Sequence, residues 1–583
     1  MPSRIELNEK KTSAEPGLKS LPELYDRAVE RFSSLVAMKS RYPWGYQSIT
    51  YQELGKLISY LGTGFISSGL KKGDRVILIA ENSPEWGLVY AAVTSCGAAI
   101  IPLDIQLNEN EIRHLLLHSG AKFLVTSPRI YSEKIENLRL EGIQVIVTGE
   151  RESEYGGTAL GEVMANGKER ISNGEGEFFR FKSDVSPDDI AAVCYTSGTT
   201  GQPKGAILLH HNLTSNVDAC RRRIPFKEKD VFLSLLPLHH TLATTCNLLA
   251  PLSGGCTIIF GKSLKARDIR EDIERESVTI LVGVPLLFEH MIAALHRKVE
   301  EASNVRRFLF RIASGIASGL GRLFKKNVGR AVFKKQLTAS GLGSLRFCVS
   351  GAAPLRPDVE DAFYTIGIPI LQGYGLTEAS PVVSVNPLEK PKRGTVGPPI
   401  PGVEVKIDEP NNEGIGEITV RGPNVMQGYL QNPDATAAVL RNGWFYTGDI
   451  GMKDPEGYIT IVGRKKDVIV TAGGKNVYPE ELEEPLNECP FILESMVLAI
   501  KDRKGNDRVG AIIVPDYDAL GSAPELEGKP TEEEIKNLIS TKIKEISSNL
   551  PEYKRIYEFQ IRNEEFPKTA THKIKRYLVK WIE

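Results

Sequence analysis

Ile190-Ala-Ala-Val-Cys-Tyr-Thr-Ser197 runs without a break into Gly198-Thr-Thr-Gly-Gln-Pro-Lys-Gly205. The first part is a short apolar run, as expected of a strand buried on both faces. The second is a string of glycines and hydroxyls that ends on a lysine. Glycines at 198, 201 and 205 let the backbone approach a ligand closely, Ser197, Thr199 and Thr200 offer hydroxyl donors, and Lys204 brings a positive charge. Together these describe a phosphate cradle at the end of a buried strand. The spacing does not match G-x-x-x-x-G-K-[ST], and no such match occurs elsewhere in the chain, which disfavours a Walker-type nucleotidase.

Working outward, RVILIA at 75–80, AIIPL at 99–103, KFLVTS at 122–127 and VIVTG at 145–149 alternate with helical patterns. Near-continuous apolar strands separated by helices predict an α/β fold with parallel sheets covered on both faces. After Pro391 the strand patterns VGPPIPGVEVKID, GEITVRG and GYITIVG follow one another without helices, which predicts antiparallel β structure. A third regime starts near GRKKD at 463–467, where VIVTAGG, a helix from Pro479, SMVLAI, VGAIIVP and a charged helix at 531–547 predict a small α+β unit.

The chain has 583 residues, enough for about four average domains or a few larger fused ones, with 73 Lys+Arg balancing 73 Asp+Glu. A zero net charge removes the global basic field expected of a protein that coats nucleic acid. The 7 cysteines are scattered and form no C-x-x-C, so neither a disulfide framework nor a zinc knuckle is expected, and a reducing cytoplasmic setting is. No apolar signal-peptide core is read in MPSRIELNEKKTSAEPG, and no targeting or lipidation tail in KRYLVKWIE.

Two segments call for separate treatment. Val231 to Gly261 contains no Lys, Arg, Asp or Glu, but Pro237, His239, His240, Asn247, Pro251 and Gly254-Gly255 divide it into a strand, a loop, a short helix and a second strand. From Ala302 to Pro357 there is no acidic residue, and between Arg306 and Lys335 basic residues alternate with apolar ones at three- and four-residue steps. That pattern fits a solvated helical face on an insertion or a peripheral contact with the inner face of a membrane.

Tyr195–Gly205 resembles the phosphate-binding loop of the acyl-adenylate-forming enzymes, the superfamily of acyl-CoA synthetases, carrier-protein adenylation domains and firefly-type luciferases. GYGLTE at 373–378, WFYTGDIG at 444–451, GRKKD at 463–467, GGKNVYPEE at 473–481 and PKTATHKIKR at 567–576 resemble the remaining motifs in order and spacing. Length and the basic insertion bring long-chain fatty-acid–CoA ligases nearest. The resemblance implies a large N-terminal domain over 1–465, with two parallel-type α/β subdomains and a β-barrel-like part at about 391–462. A small mobile α+β domain over 466–583 would follow.

The motifs also have readings of their own. In GYGLTE, Tyr374 supplies a flat face for a base, Thr377 a hydroxyl for a phosphate and Glu378 a hard oxygen ligand suited to Mg²⁺. Asp449 can accept two hydrogen bonds from a ribose diol, and Arg464 could reach the same sugar. The resemblance adds Thr196, Ser197, Gly198, Thr199, Thr200, Gly201, Lys204, Gly351, Ala352 and Gly375 as ATP or AMP contacts. It sets His239 and His240 at the edge of the acyl site, Lys466 at the hinge and Gly474 on the CoA path. Lys573 would bridge carboxylate and α-phosphate, although His572 stands where the family often has glycine.

The implied chemistry is ATP-dependent activation of a long-chain fatty acid to acyl-AMP, with Mg²⁺, followed by transfer to CoA. A carrier-protein acceptor, an aryl or medium-chain acid, a luciferase-like oxygenase and an inactive membrane-surface or partner-binding protein of the same fold stay open. Amino-acid activation fits poorly, because VFLSLLPLHH offers no acidic residue to meet an α-ammonium group. Zinc is not expected, since His114 and His118 lack the glutamate of H-E-x-x-H, and the absence of G-x-S-x-G disfavours a serine hydrolase.

Overall fold

The computed structural model describes residues 17–582 apart from 43–44, 139, 150–156, 197–202, 301–327, 472–474, 503–504, 506, 522–529, 549 and 569–573. Two eight-stranded sheets form its centre. In the first, Thr158–Ala159, Gln144–Val147, Phe123–Thr126, Arg75–Ile79, Ala99–Pro102 and Ile190–Thr196 lie parallel in that order. Lys204–Leu209 and then Gly428–Tyr429 extend it antiparallel. Ile77, Leu78, Ile100, Leu124 and Val193 are wholly buried, as strands covered on both faces require.

The second sheet has the order Val382–Val385, Ile370–Gly375, Phe347–Ser350, Ile280–Gly283, Val231–Ser234, Thr257–Phe260, Val36–Tyr42, Gly45–Thr50. Its two outermost strands are antiparallel to their neighbours and the others are parallel. The strand–helix alternation read from the sequence is therefore what forms, with one long-range addition. Val36–Tyr42, from near the start of the chain, pairs with Thr257–Phe260 through Met38 and Ile258.

The uncharged stretch folds as anticipated, into the strands Val231–Ser234 and Thr257–Phe260 around the helical turns Thr241–Ala243, Thr244–Leu249 and Ala250–Ser253. Leu233, Leu249 and Ile258 are fully buried, so its apolar character serves the sheet. No helix among the described residues is long and apolar enough to cross a membrane.

Past Pro391, Glu404–Asp408, Gly416–Arg421 and Trp444–Lys453 form an antiparallel sheet, with Leu440–Arg441 and Ile459–Arg464 also paired to Trp444–Lys453. One helix that strand patterning missed, Pro433–Val439, interrupts this region. Its cause is local: the Asn432 side chain accepts from the Ala435 N–H at 3.0 Å, and Pro433 opens the helix where its missing N–H does no harm. The last part of the chain packs Pro479–Asn487 and Glu532–Ser548 with the sheet Ile492–Lys501, Asp507–Pro515, Glu558–Ile561.

Ile280–Gly283, Val231–Ser234, Phe347–Ser350 and Ile370–Gly375 run in one direction, so their carboxyl ends share an edge of the second sheet. In doubly wound folds that edge is where ligands bind. The loops holding His239, His240, Gly351, Ala352, Thr377 and Glu378 all leave from it.

Candidate active site

The strands that flank the cradle predicted at 195–205, Ile190–Thr196 and Lys204–Leu209, are antiparallel partners. They pair Thr196 with Lys204, Tyr195 with Gly205 and Cys194 with Ala206. Ser197, Gly198, Thr199, Thr200 and Gly201 lie outside the described residues. This strand pair is braced from the side: the Tyr195 hydroxyl and His118 Nδ1 are 2.8 Å apart, and a Cβ at Gly205 would sit 3.3 Å from the Tyr195 ring.

Lys204 reaches over the ring of Tyr429, with Nζ 5.3 Å from its centroid, and the Tyr429 hydroxyl donates to Glu378 Oε1 at 2.9 Å. Tyr429 was not anticipated. Its one sequence signal is the glycine before it, and only pairing of Gly428–Tyr429 with Ala206 and Ile207 brings it to the hairpin. Burial, and then the Glu378 charge, push the Tyr429 phenol well above its usual range, so it stays protonated and donates. The same carboxylate adds to burial in pushing the Cys194 thiol up to about 12. Beside Glu378, the Thr377 hydroxyl lies 3.3 Å from that of Thr241, which begins the first helical turn after His240.

A second cluster joins three residues read from separate motifs. The Tyr374 hydroxyl donates to Asp449 Oδ2 at 2.6 Å, and Arg464 Nε meets Asp449 Oδ1 at 2.7 Å. Asp449 and Arg464 are register partners on adjacent antiparallel strands, which brings these residues from two separate motifs into direct contact. The Asp449 N–H donates to Thr447 Oγ1 at 3.0 Å, fixing the turn before it. Burial first, and Asp449 next, push the Tyr374 phenol well above its usual range. Each Asp449 oxygen carries more than one lone pair, so the carboxylate can still accept from a diol while held by Tyr374 and Arg464.

Gly351 and Ala352 follow the strand Phe347–Ser350. A Cβ at Gly351 would lie 3.2 Å from the Leu242 side chain, and Ala352 takes φ 73°, a left-handed conformation that costs an L-residue about 1 kcal/mol. Gly375 is demanded by packing, because a Cβ there would sit 2.1 Å from the Pro381 carbonyl oxygen.

His239 and His240 are close neighbours, ring centroids 4.1 Å apart, and His239 Nε2 is 3.7 Å from Asp104 Oδ2. Burial, then His240, hold the His239 pKa well below the usual histidine value, so this imidazole is neutral at pH 7. Their loop is stapled by Asn82, which donates to the Leu236 carbonyl at 2.7 Å and accepts from the Leu238 N–H at 2.8 Å.

Lys466 lies exposed in the short turn Lys465–Asp467 that leaves the strand Ile459–Arg464, whereas Gly474 and Lys573 lie outside the described residues. Of the basic segment, 306–327 also lies outside them. Arg330 donates to the carbonyls of Gly343, at 2.6 Å, and Leu345, while Lys334 and Lys335 are exposed.

The donor set at Glu378 suits magnesium. It offers a carboxylate with one oxygen engaged by Tyr429, next to a threonine hydroxyl, and no group of three or more His, Cys, Asp or Glu among the described residues forms a protein cage. Mg²⁺ is typically held this way, through one or two carboxylates plus substrate phosphates and water.

A family model described as AMP-binding enzyme matches residues 25–430. The long-chain-fatty-acid–CoA ligase FadD15 of Mycobacterium bovis is 30% identical over 92% of this chain and 90% of its own. A feruloyl-CoA synthase from Amycolatopsis sp is 30% identical over 81% of this chain and 84% of its own. The crystal structure of the anthranilate CoA ligase AuaEII in complex with anthranoyl-AMP, 22% identical, superposes with a TM-score of 0.73 over 97% of each chain, which shows the same fold.

Proposed function

The chain belongs to the AMP-binding enzyme family, as an acyl-adenylate-forming acyl-CoA ligase, and from that premise we propose that its acid is a long-chain fatty acid and its acceptor CoA. In the first step a carboxylate oxygen attacks the α-phosphorus of ATP, the bond to the β-phosphate bridging oxygen breaks, and pyrophosphate leaves. In the second, the CoA sulfur attacks the acyl carbon, the anhydride C–O bond breaks, AMP departs and the thiol proton is lost to solvent.

The observation that carries the adenylation reading is the pair of clusters above. Tyr374, Asp449 and Arg464 form one polar group, and Lys204 and Glu378, joined through Tyr429, bring a cation and a carboxylate to a second. In phosphoryl and adenylyl transfer the protein mainly positions the reactants and offsets developing charge. We assign Asp449 and Arg464 to the ribose, Tyr374, Gly351, Ala352 and Gly375 to the adenine end, and Lys204 with Thr196, Ser197, Gly198, Thr199, Thr200 and Gly201 to the phosphates. Glu378 and Thr377 would hold Mg²⁺, which supplies charge neutralisation at the phosphate oxygens when bound. Lys573 is assigned to the carboxylate and α-phosphate, Lys466 to the hinge and Gly474 to the pantetheine path.

Support for a long aliphatic acid comes from the neutral His239 in the loop of the uncharged 231–261 segment and from similarity to FadD15 along nearly the whole chain. Similarity to a feruloyl-CoA synthase keeps an aryl acid as the second reading. Each buried methylene is worth about 0.8 kcal/mol, about fourfold in kcat/KM. A series of acids from short to long, with an aryl acid alongside, should therefore show kcat/KM rising steeply with length when assayed with CoA and with a holo carrier protein. Equal values for short and long acids would refute the assignment.

We further propose that the segment around Arg306–Lys335 makes peripheral contact with anionic membrane, where a poorly soluble acid partitions. Basic residues near such a surface contribute about 1 kcal/mol each. Co-sedimentation with anionic vesicles should fall with added salt, and absence of binding at low salt would leave these residues as a solvated face.

A further inference from the structure

We propose that Tyr429 is a positioning residue that holds the phosphate-end cation and carboxylate apart, keeping Lys204 for phosphate and one oxygen of Glu378 for the metal. The inference rests on the roles given above to Lys204 and Glu378, and extends them to a residue that no motif marked. Tyr429 engages both groups by different parts of one side chain. Its hydroxyl donates to Glu378 Oε1 at 2.9 Å, and its ring face lies under Lys204 Nζ, 5.3 Å from the centroid. Both distances are within the range of a real interaction.

The ammonium and the carboxylate thus contact the same side chain at two different places, the ring face and the hydroxyl. Among the described residues Lys204 and Glu378 form no ion pair with one another. Interposing a phenol satisfies each without cancelling either, since a donated hydrogen bond fixes a carboxylate while leaving its second oxygen available.

The backbone of Tyr429 is held on two sides. It pairs with Ala206, the next N–H, of Leu430, donates to the Gly205 carbonyl at 2.7 Å, and its own N–H donates to Thr436 Oγ1 at 2.9 Å. Gly428 takes φ 154°, and a Cβ there would lie 2.8 Å from Thr436 Cγ2. The backbone of Tyr429 is therefore tied both to the hairpin and to Thr436.

Calorimetric titration of the full chain with MgATP and with metal-free ATP separates this role from general packing. Orienting residues behind a metal ligand typically contribute about 10–100-fold to metal affinity. Tyr429→Phe keeps the ring beneath Lys204 and removes the donor, so MgATP should bind about tenfold more weakly with metal-free ATP unchanged. Tyr429→Leu also removes the ring and should weaken both forms. Tyr429→Phe binding MgATP as the parent does, or losing both forms equally, would overturn the proposal. Should Tyr429→Leu fail to fold, the phenylalanine variant still decides. Glu378→Gln is the control for the underlying reading. If it keeps the parent's preference for MgATP, Glu378 is not the metal ligand. If it loses that preference and Tyr429→Phe does not, only the role of Tyr429 fails.

Discussion

Asp449 sits almost wholly buried with a phenol on one oxygen and a guanidinium on the other, and its charge depends on both. A buried carboxylate is tolerated only when paired and hydrogen-bonded, and removing one partner of such a pair costs more than the pair itself is worth. Asp449→Asn keeps the shape but turns one acceptor into a donor, which then faces either the Arg464 guanidinium or the Tyr374 hydroxyl. With a hydrogen bond to a charged group worth about 1.5–3 kcal/mol, ATP should bind at least about tenfold more weakly, read by titration calorimetry. Unchanged ATP affinity would remove Asp449 from the nucleotide site. Gly375 is also constrained by packing, because the Pro381 carbonyl leaves no room for any side chain there.

Among the elements, the junction between the strand Ile459–Arg464 and the helix Pro479–Asn487 holds a carboxyl in an unusual position. Glu480 Oε2 lies 2.6 Å from where a Gly463 Cβ would be, buried and without a hydrogen-bond partner among the described residues. Burial pushes its pKa up to about 7, Arg576 opposes this, and Glu483 and Asp467 add to it. The folded value lies above the unfolded one, so the stabilisation is full below about 4.5 and is lost as pH rises through about 7. Applying that linkage, protection of the Pro479–Asn487 amides should fall by about 1 kcal/mol more between pH 6 and pH 8 in the parent than in Glu480→Gln. Hydrogen exchange of both proteins at matched pH reads this directly, because intrinsic exchange rates then cancel. Parallel profiles would mean that Glu480 is already ionised in the folded protein.

For the whole molecule, the two half-reactions make incompatible demands on one site. Adenylation needs positive charge at the α-phosphate, and thioester formation needs an open path for a thiol. The assignments of Lys573 and Gly474 imply that different residues of the C-terminal part serve each step. Loss of one preorganised charge donor typically slows a reaction about 10²–10³-fold, so Lys573→Ala should cripple acyl-AMP formation and leave supplied acyl-AMP reacting with CoA. Gly474→Leu should do the reverse, with Lys466→Pro similar to it through a stiffened hinge. Single-turnover measurements of each step are the check, and equal slowing of both steps in Lys573→Ala would reject the division of labour.

The strand–helix alternation, the change to antiparallel β structure after Pro391 and the buried strand that leads to Thr196 were all legible in the chain, because each is written in neighbouring residues. Burial on both faces leaves continuous apolar runs, and a turn that admits a ligand needs glycine within a few positions. Asp449 and Arg464 could be named from their motifs, but their direct contact is a matter of strand register, which no local pattern specifies. Tyr429 is further from view. A tyrosine after a glycine is ordinary, and only the pairing of Gly428–Tyr429 with Ala206 and Ile207 puts it between Lys204 and Glu378. The same holds for Glu480, whose pKa is raised by burial against Gly463 and by the charges of Glu483 and Asp467, with Arg576 opposing them. Local sequence determines which segments become strand, helix or phosphate turn, because backbone sterics and solvent exclusion act over a few residues. Which charges meet and which are kept apart is decided by strand register and by packing between segments, some of them distant in the chain, and only the tertiary structure contains that.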